Sequence, residues 1–336
     1  KEDEWNGYFK NSNGDIVKNI KWTEAEPADF SWDGNDDSNT QISDGVYSYE
    51  ITSTDKAGNK AQESVITNII YSAEKPETNI IVEGTRYFSP NTKSNLENVS
   101  FEISIPLPDE KTGNKLIEWE IAIADKTNKI VKTINHKNYG DIPPEKVLFE
   151  GFDDNGKILP DGEYTASVFA KYLNGYEAQK VYSPVVILDT NAPEAQIIAN
   201  DKVFGAGAKD TVTYSIMITP SEGAPVPSWK AEIKSNDNGN IVKTYDLGEY
   251  PPETIIWNGL CDDGSIAQKG QYLLSLSATD LAGNVGGGKS ADLVTFDTTE
   301  TQLLLAMTDN AFSPNGNRVK DTISISPVTQ TKDVIS

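Results

Sequence analysis

The sequence predicts an all-β chain, an elongated array of tandem β-sandwich modules, and three observations support that expectation. One phrase of aromatic, turn and alternating residues recurs along the 336 residues at long, nearly constant spacing. Its apolar positions alternate with a period of two, the pattern of a strand with one buried face. Clusters of Asn, Asp, Ser, Thr and Gly punctuate the alternation, because short polar side chains bond the local backbone and Gly supplies positive φ in tight turns.

The first copy of the phrase reads Trp32-Asp33-Gly34, Asp44-Gly45-Val46-Tyr47-Ser48-Tyr49-Glu50-Ile51 and Asp55-Lys56-Ala57-Gly58-Asn59. The last reads Trp257-Asn258-Gly259, Gly270-Gln271-Tyr272 and Asp280-Leu281-Ala282-Gly283-Asn284. A weaker middle copy reads Phe149-Glu150-Gly151, Asp161-Gly162-Glu163-Tyr164 and Asn174-Gly175, with Lys171 aligned to the Asp position. Trp32 to Phe149 is 117 residues and Phe149 to Trp257 is 108, so the module is about 112 residues long. Ile16-Val17-Lys18, Ile130-Val131-Lys132 and Ile241-Val242-Lys243 precede the Trp or Phe position by 16, 19 and 16 residues. Trp5, Trp119 and Trp229 precede those by a further 11, 11 and 12. The phrase Asp189-Thr190-Asn191-Ala192-Pro193, echoed by Asp297-Thr298-Thr299 and loosely by Ser72-Ala73-Glu74-Lys75-Pro76, marks junctions, where proline halts a strand ladder.

Taken in order, the strands follow from the alternation. Tyr47, Tyr49 and Ile51 share a face, as do Tyr164, Ala166 and Val168, and Tyr272, Leu274 and Leu276. The same period runs through Val99, Phe101, Ile103 and Ile105, through Ile117, Trp119, Ile121 and Ile123, and through Val212, Tyr214, Ile216 and Ile218. Turns at Asn35-Asp36-Asp37, Asp153-Asp154-Asn155-Gly156 and Asp262-Asp263-Gly264 separate strand runs. Many short strands over such a length describe an immunoglobulin-like β-sandwich, and with Cys261 the sole cysteine its core rests on packing without an internal disulfide. Trp5, Trp32, Trp119, Phe149, Trp229 and Trp257 are the expected core anchors.

The expected organisation is a module over residues 1–75 that lacks its first strands, complete modules over 76–190 and 191–296, and the initial strands of a further module over 297–336. A complete module carries 40 residues between Asp189 and Trp229, whereas four residues precede Trp5 and 39 follow Asp297. The segment Thr322-Ile323-Ser324-Ile325-Ser326 therefore reads as a strand, with Ile323 and Ile325 as assembly residues. Two arrangements satisfy this register: an excerpt of a longer array, or donation of the tail to the first module of a neighbouring subunit in a head-to-tail polymer.

The charge balance is 29 Lys and Arg against 51 Asp and Glu, a net −22, which repels nucleic acid and anionic lipid. No apolar run reaches the length of a membrane span. Low cysteine suits the cytosol and a bacterial surface array equally, and the turn-rich composition favours an extracellular or cell-surface location.

The sequence Trp-x-Gly, acidic turn, Asp-Gly-x-Tyr strand and Asp-x-Ala-Gly-Asn resembles the immunoglobulin-like domain of the flagellar hook-capping protein, and related modules in large bacterial surface proteins. A second phrase, Phe312-Ser313-Pro314-Asn315-Gly316-Asn317 with Asp321-Thr322, resembles the opening of surface modules linked to bacterial secretion and gliding; Phe88-Ser89-Pro90-Asn91 and Phe204-Gly205-Ala206-Gly207 are its other copies. Asn stands where that motif has its Asp. These resemblances imply a bacterial surface protein.

Catalytic sets are not nominated. His136 is the sole histidine, in a polar run without a repeat equivalent, and Cys261 adjoins carboxylates that disfavour a thiolate. No cofactor is expected, with calcium as the possible exception: Asn315, Asn317 and Asp321 in one loop, and Asp153, Asp154, Asp262 and Asp263 in the turns, offer hard oxygen ligands, against the reading that they are turn-forming side chains. The expected function is a non-enzymatic structural stalk, filament or sheath subunit whose partner is itself or its neighbouring modules. The alternative is an adhesin or carbohydrate-binding protein that takes a glycan or protein ligand through loops, with Tyr87, Tyr172 and Tyr176 as stacking candidates.

Overall fold

The computed structural model describes residues 2–23, 27–300 and 303–329. Apart from a 3-10 turn at Glu110–Thr112 and a single-turn helix at His136–Tyr139, the described elements are strands. The chain forms two compact units, one of Lys1–Asn191 with Glu222–Pro225 and Leu281–Asn284, the other of Ala192–Ser221 with Val226–Asp280 and Val285–Ser336.

The first unit opens with one antiparallel sheet in the order β2-β1-β3-β4, from β1 (Glu2–Lys10), β2 (Ile16–Thr23), β3 (Gly45–Asp55) and β4 (Ser64–Tyr71). Phe9 pairs with Tyr49, Gly7 with Ile51 and Trp5 with Ser53, so the period-two alternation gathers these residues on one face. A sandwich follows, built from β5 (Asn79–Glu83), β6 (Tyr87–Phe88), β7 (Val99–Ser104), β8 (Leu116–Asp125), β9 (Ile130–Asn135), β10 (Lys146–Phe149), β11 (Gly162–Tyr172), β12 (Val181–Tyr182) and β13 (Val186–Leu188). Its small sheet runs β10-β7-β5; its large sheet runs β6-β13-β11-β8-β9, with β12 also on β11. Val99, Phe101, Ile103 and Phe149 from the small sheet meet Trp119, Ile121, Ile123 and Tyr164 from the large one in a single core.

The second unit repeats this plan with β14 (Ala195–Ala199), β15 (Val203–Gly205), β16 (Val212–Ile218), β17 (Trp229–Ser235), β18 (Ile241–Gly248), β19 (Thr254–Trp257), β20 (Gly270–Thr279), β21 (Val285–Lys289) and β22 (Val294–Asp297). The small sheet is β14-β16-β19 and the large one β15-β22-β20-β17-β18, with β21 on β20. Its core joins Ile197, Val212, Tyr214 and Trp257 to Trp229, Ile233, Tyr272 and Leu274. The unit ends in a two-stranded hairpin of β23 (Leu303–Met307) and β24 (Ile325–Thr329).

The repeated phrase is one corner of the module made three times. The hydroxyls of Tyr47, Tyr164 and Tyr272 donate back four residues to the carbonyls of Ser43, Pro160 and Gln268 at 2.6, 2.6 and 2.7 Å. That is the tyrosine corner of immunoglobulin-like sandwiches. The Gly of the Trp-x-Gly phrase has φ of +77°, +77° and +78° at Gly34, Gly151 and Gly259. A Cβ there would be driven into Tyr71 or Phe296 at the outer two copies and within 3.2 Å of Leu188 at the middle one, so both backbone and space demand glycine. Asp55 and Asp125 close their turns by accepting from the amides two and four residues on.

Several expectations are corrected. Trp119, Phe149, Trp229 and Trp257 are buried, but Trp5 and Trp32 are only half-buried, because no second sheet covers the end where Trp5 lies; the buried aromatics of the first sheet are Phe9, Tyr47 and Tyr49. In the middle copy Gly175 has φ of +85°, matching +88° at Gly58 and +87° at Gly283, so Tyr172, not Lys171, stands at the Asp position. Strand β24 starts at Ile325, leaving Ile323 before it. Ile117 is exposed: Lys171 and Tyr172 of β11 pair with Glu118 and Leu116, so Ile117 is the extra residue of a β-bulge and the alternation that buries Trp119 does not reach it.

Trp257→Ala should destabilise the second unit by about 3–5 kcal/mol, whereas Trp5→Ala in the first should cost distinctly less. Denaturant melts check both. Gly259→Ala should also destabilise, because φ of +78° and the Phe296 ring oppose any side chain at once.

Candidate functional site

Two surfaces stand out because their apolar residues lack the layer that covers equivalent residues in the sandwiches. The first is the inner face of β2-β1-β3-β4. Its cover is one irregular segment, residues 27–44, from which Trp32 stacks on Phe9 with ring centroids 3.8 Å apart and Phe30 leans on Trp22 and Tyr49 at 5.6 and 5.5 Å. Trp5, Ile20, Trp22 and Ile51 remain half-buried, and Phe30 and Ile66 are exposed. Beneath this cover the Tyr49 hydroxyl and the Ser53 Oγ are buried with no hydrogen-bond partner among the described residues, and burial pushes the Tyr49 phenol pKa up. Residues 29–32 form no strand, although β10 and β19, which end on the equivalent Phe149 and Trp257, pair with β7 and β16 through Phe149 with Val99 and Trp257 with Val212.

The second surface is the β23–β24 hairpin. Its register, Leu303 opposite Thr329 through Met307 opposite Ile325, reproduces Ala195 opposite Ile218 through Ala199 opposite Tyr214 in β14–β16. It also matches Val82 opposite Phe101 in β5–β7. The inward positions of the earlier hairpins are core, with Ile197 at 3% and Tyr214 at 0% exposure, whereas the matching Leu305 and Ile325 are 70% and 61% exposed. Phe312, the counterpart of the buried Phe88 and Phe204, is 51% exposed. Ile323 and Ile325, the expected assembly residues, lie at the positions of Val212 and Tyr214 in this register.

The expected calcium ligands form a loop of a different kind. Asp321 accepts from the amides of Gly316 and Arg318 at 3.2 and 2.6 Å, Asn315 from Asn317 at 3.1 Å and Asn317 from Val319 at 2.8 Å. The one carboxylate and two side-chain amides are thus engaged with backbone N–H groups, as turn-forming side chains are. The turn carboxylates behave likewise: Asp153 accepts from Asn155 and Lys157, Asp154 from Thr133 and Asp263 from Ser265, while Asp262 pairs with Lys243 at 3.2 Å. Among the described residues no cluster of three or more His, Cys, Asp or Glu side chains could hold a metal. Tyr172, a stacking candidate, is fully buried, donates to the Pro106 carbonyl at 2.9 Å and has its pKa pushed up by burial to about 12, so it is core.

The junctions carry a chemistry that the sequence phrase only hinted at. Ser72, Asp189 and Asp297 each accept from the amide two residues on, at 3.3, 3.0 and 2.9 Å. At the first two the following amide is also held by an acid, Ala73 by Asp44 at 2.9 Å and Thr190 by Asp161 at 3.0 Å. At the third, Lys269 replaces that acid and pairs with Asp297 itself at 2.6 Å. Lys269, followed by Thr299, holds the Asp297 carboxyl down to about 2.

A family model of the FlgD Ig-like domain matches residues 8–57, from within β1 to the turn after β3. No curated protein sequence matches the chain. Among solved structures, a tetra-tandem repeat in the extending region of a large adhesion protein is 17% identical, covers 88% of this chain and 67% of that chain, and superposes with a TM-score of 0.31. A structure bearing on host cell surface retention of a 1.5-MDa bacterial ice-binding adhesin is 16% identical, with 89% and 88% covered and a TM-score of 0.35. A Ca2+-stabilized adhesin of an Antarctic bacterium is 14% identical, with 91% and 68% covered and a TM-score of 0.35. No helix among the described residues is long and apolar enough to cross a membrane.

The Asp297 carboxyl is stabilised in its ionised form, so its contribution is complete above the ordinary value of 3.8 and lost as pH falls through about 2. Asp297→Asn should therefore lower the melting midpoint at neutral pH, and the gap from wild type should close as pH is taken down through that window. For the Asp321 loop, Asp321→Asn should lower loop protection in hydrogen exchange equally in calcium and in chelator, since its partners are backbone amides.

Proposed function

We propose that the chain is a non-enzymatic structural segment of an extracellular bacterial surface protein, a load-bearing stalk or filament of tandem immunoglobulin-like modules. The observation that carries this reading is the repetition, in two sandwiches, of one strand order, one tyrosine corner and one packed positive-φ glycine two residues after a core aromatic, each around its own core. Sandwiches with separate cores resist force one at a time. The match of residues 8–57 to an Ig-like family model supports the module type, and the turn-rich composition supports the location.

Force–extension measurements test it. Strands β5 to β13 span Asn79–Leu188, so extending that sandwich releases a contour length of roughly 36–40 nm at 3.3–3.6 Å per residue, and the second sandwich adds a separate step of similar size. Gradual extension without two such steps contradicts a load-bearing role.

One observation favours the adhesin reading. Residues Ile81, Leu107, Ile142, Pro143 and Pro144 line an open groove along the outer side of β5, β7 and β10, with Ile142 strongly exposed. Binding to a glycan or protein array that disappears in Ile142→Asp would establish that function; array silence together with two mechanical steps favours the stalk.

A further inference from the structure

We propose that Asp154 and Asn138 form a lock on the free edge of β9, closing a strand edge through which two copies of this chain would otherwise pair. β9 ends its sheet: β8 pairs with one side, and no described strand pairs with the other. Unpaired backbone groups along such an edge are a template for a further strand. Here four of them are already taken. The Asp154 amide donates to the Val131 carbonyl at 3.3 Å, and the Asp154 carboxylate accepts the Thr133 amide at 3.1 and 3.2 Å. The Asn138 side chain continues the series, its Nδ2 donating to the Thr133 carbonyl at 3.3 Å and its Oδ1 accepting the Asn135 amide at 2.9 Å. The single helical turn His136–Tyr139, capped by Asn135, folds Asn138 back over the strand it follows.

Those four groups are the ones a second copy would use. In antiparallel pairing two opposed residues exchange both bonds, and the next such pair lies two residues away along each strand, in opposite directions. A two-fold axis at Thr133 therefore sets each Thr133 against its equivalent and the Asn135 amide of one copy against the Val131 carbonyl of the other. Threonine faces threonine, Val131 faces Asn135 and Lys132 faces Ile134, so no like charges are opposed. Such a contact is isologous and closes as a dimer.

The acid of the lock is separate from the acid of the turn. Asp36 and Asp153 form their turns by accepting from the amides two and four residues on. The residue after each, five positions beyond the Trp or Phe of its copy, is Asp37, Asp154 or Asp262. Asp37 accepts the Asn19 amide at 3.2 Å, and the Asp262 amide donates to the Val242 carbonyl at 2.9 Å. Against the cost of burial, the Thr244 amide and then Lys243 hold the Asp262 carboxyl below its ordinary value. Asn19, Thr133 and Thr244 each stand three residues after the Ile of their edge strand, so one acid meets one amide in all three copies. Among the described residues nothing repeats Asn138 on β18, and that edge is held by Asp262 alone. The lock operates whether or not the chain bears load.

The test is the full chain carrying Asp154→Ala and Asn138→Ala together, followed by sedimentation velocity and amide hydrogen exchange over a range of concentrations. At low concentration the Thr133 and Asn135 amides should exchange roughly tenfold faster than in the unaltered chain. As concentration rises the variant should gain a species of twice the 36.7 kDa chain mass that the unaltered chain does not form, and both amides should regain protection. Adding Thr133→Pro removes the central donor of the pairing and leaves the ladder to β8 intact, because that amide points away from β8. It should return sedimentation to that of the unaltered chain. Asp262→Ala unlocks β18 in the same way, with Thr244→Pro as its suppressor, and decides the matter if the first variant does not fold. A folded, unlocked variant that sediments as the unaltered chain does at every concentration, or whose association survives the proline, overturns the proposal.

Discussion

A β-sheet with one apolar face is stable only when a second layer covers that face, and everything else in this chain is arranged around that requirement. In the two sandwiches the covering layer is small, three short strands, yet it buries the Trp, Tyr and Phe side chains of the large sheet because its middle strand alternates strictly: Val99, Phe101 and Ile103 in one, Val212, Tyr214 and Ile216 in the other, all point inward. Where the layer is reduced to the segment around Phe30 and Trp32, aromatic stacking does part of its work.

The corner that joins strand to strand is the second requirement, and it explains why the repeated phrase combines residues of such different chemistry. The tyrosine hydroxyl ties the start of β3, β11 and β20 to the preceding loop, the positive-φ glycine lets the adjacent turn lie flat on the neighbouring strand, and the aspartate bonds close the next hairpin. The tyrosine hydroxyl and the positive-φ glycine recur in all three copies, whereas in the middle copy Tyr172 stands at the aspartate's position. At the junctions the chemistry is more permissive: Ser72 does what Asp189 and Asp297 do, and an acid at Asp44 and Asp161 gives way to Lys269, which turns a backbone-capping contact into an ion pair.

The large features were legible because alternation and turn chemistry are local properties of sequence. The all-β sandwich, the turns at Asp153 and Asp262 and the buried Trp119, Trp229 and Trp257 all follow from residues within a few positions of one another. The depth of Trp5 and Trp32 was not legible, since burial of a strand residue is decided by the layer opposite it and not by its own neighbours. Nor were β6 and β15, whose two or three residues are too few for a period to show and which pair in parallel with distant β13 and β22. The loop at Asp321 illustrates a different limit: the same oxygen-bearing side chains serve a cation site or a turn, and here both Asp321 carboxylate oxygens accept backbone amides, of Gly316 and Arg318.

The exposed hairpin also carries a feature that a simple copy of the sandwich strands would not. Ile103 and Ile216 each donate their amide, at 2.8 Å, to the carbonyl of Glu145 or Glu253, just ahead of β10 and β19. In β24 the same position, opposite Leu305 as Ile216 is opposite Ile197, is Pro327, which has no amide to give. A proline here leaves the pairing with β23 untouched, because the lost donor points to the other edge, and it ends any ladder on that edge one residue early. An edge strand that exposes apolar side chains on a free ladder is prone to join any other strand. With Pro327 in place, only a short partner whose own pairing stops at the same point fits that edge, which disfavours the long, flat strands of an aggregate.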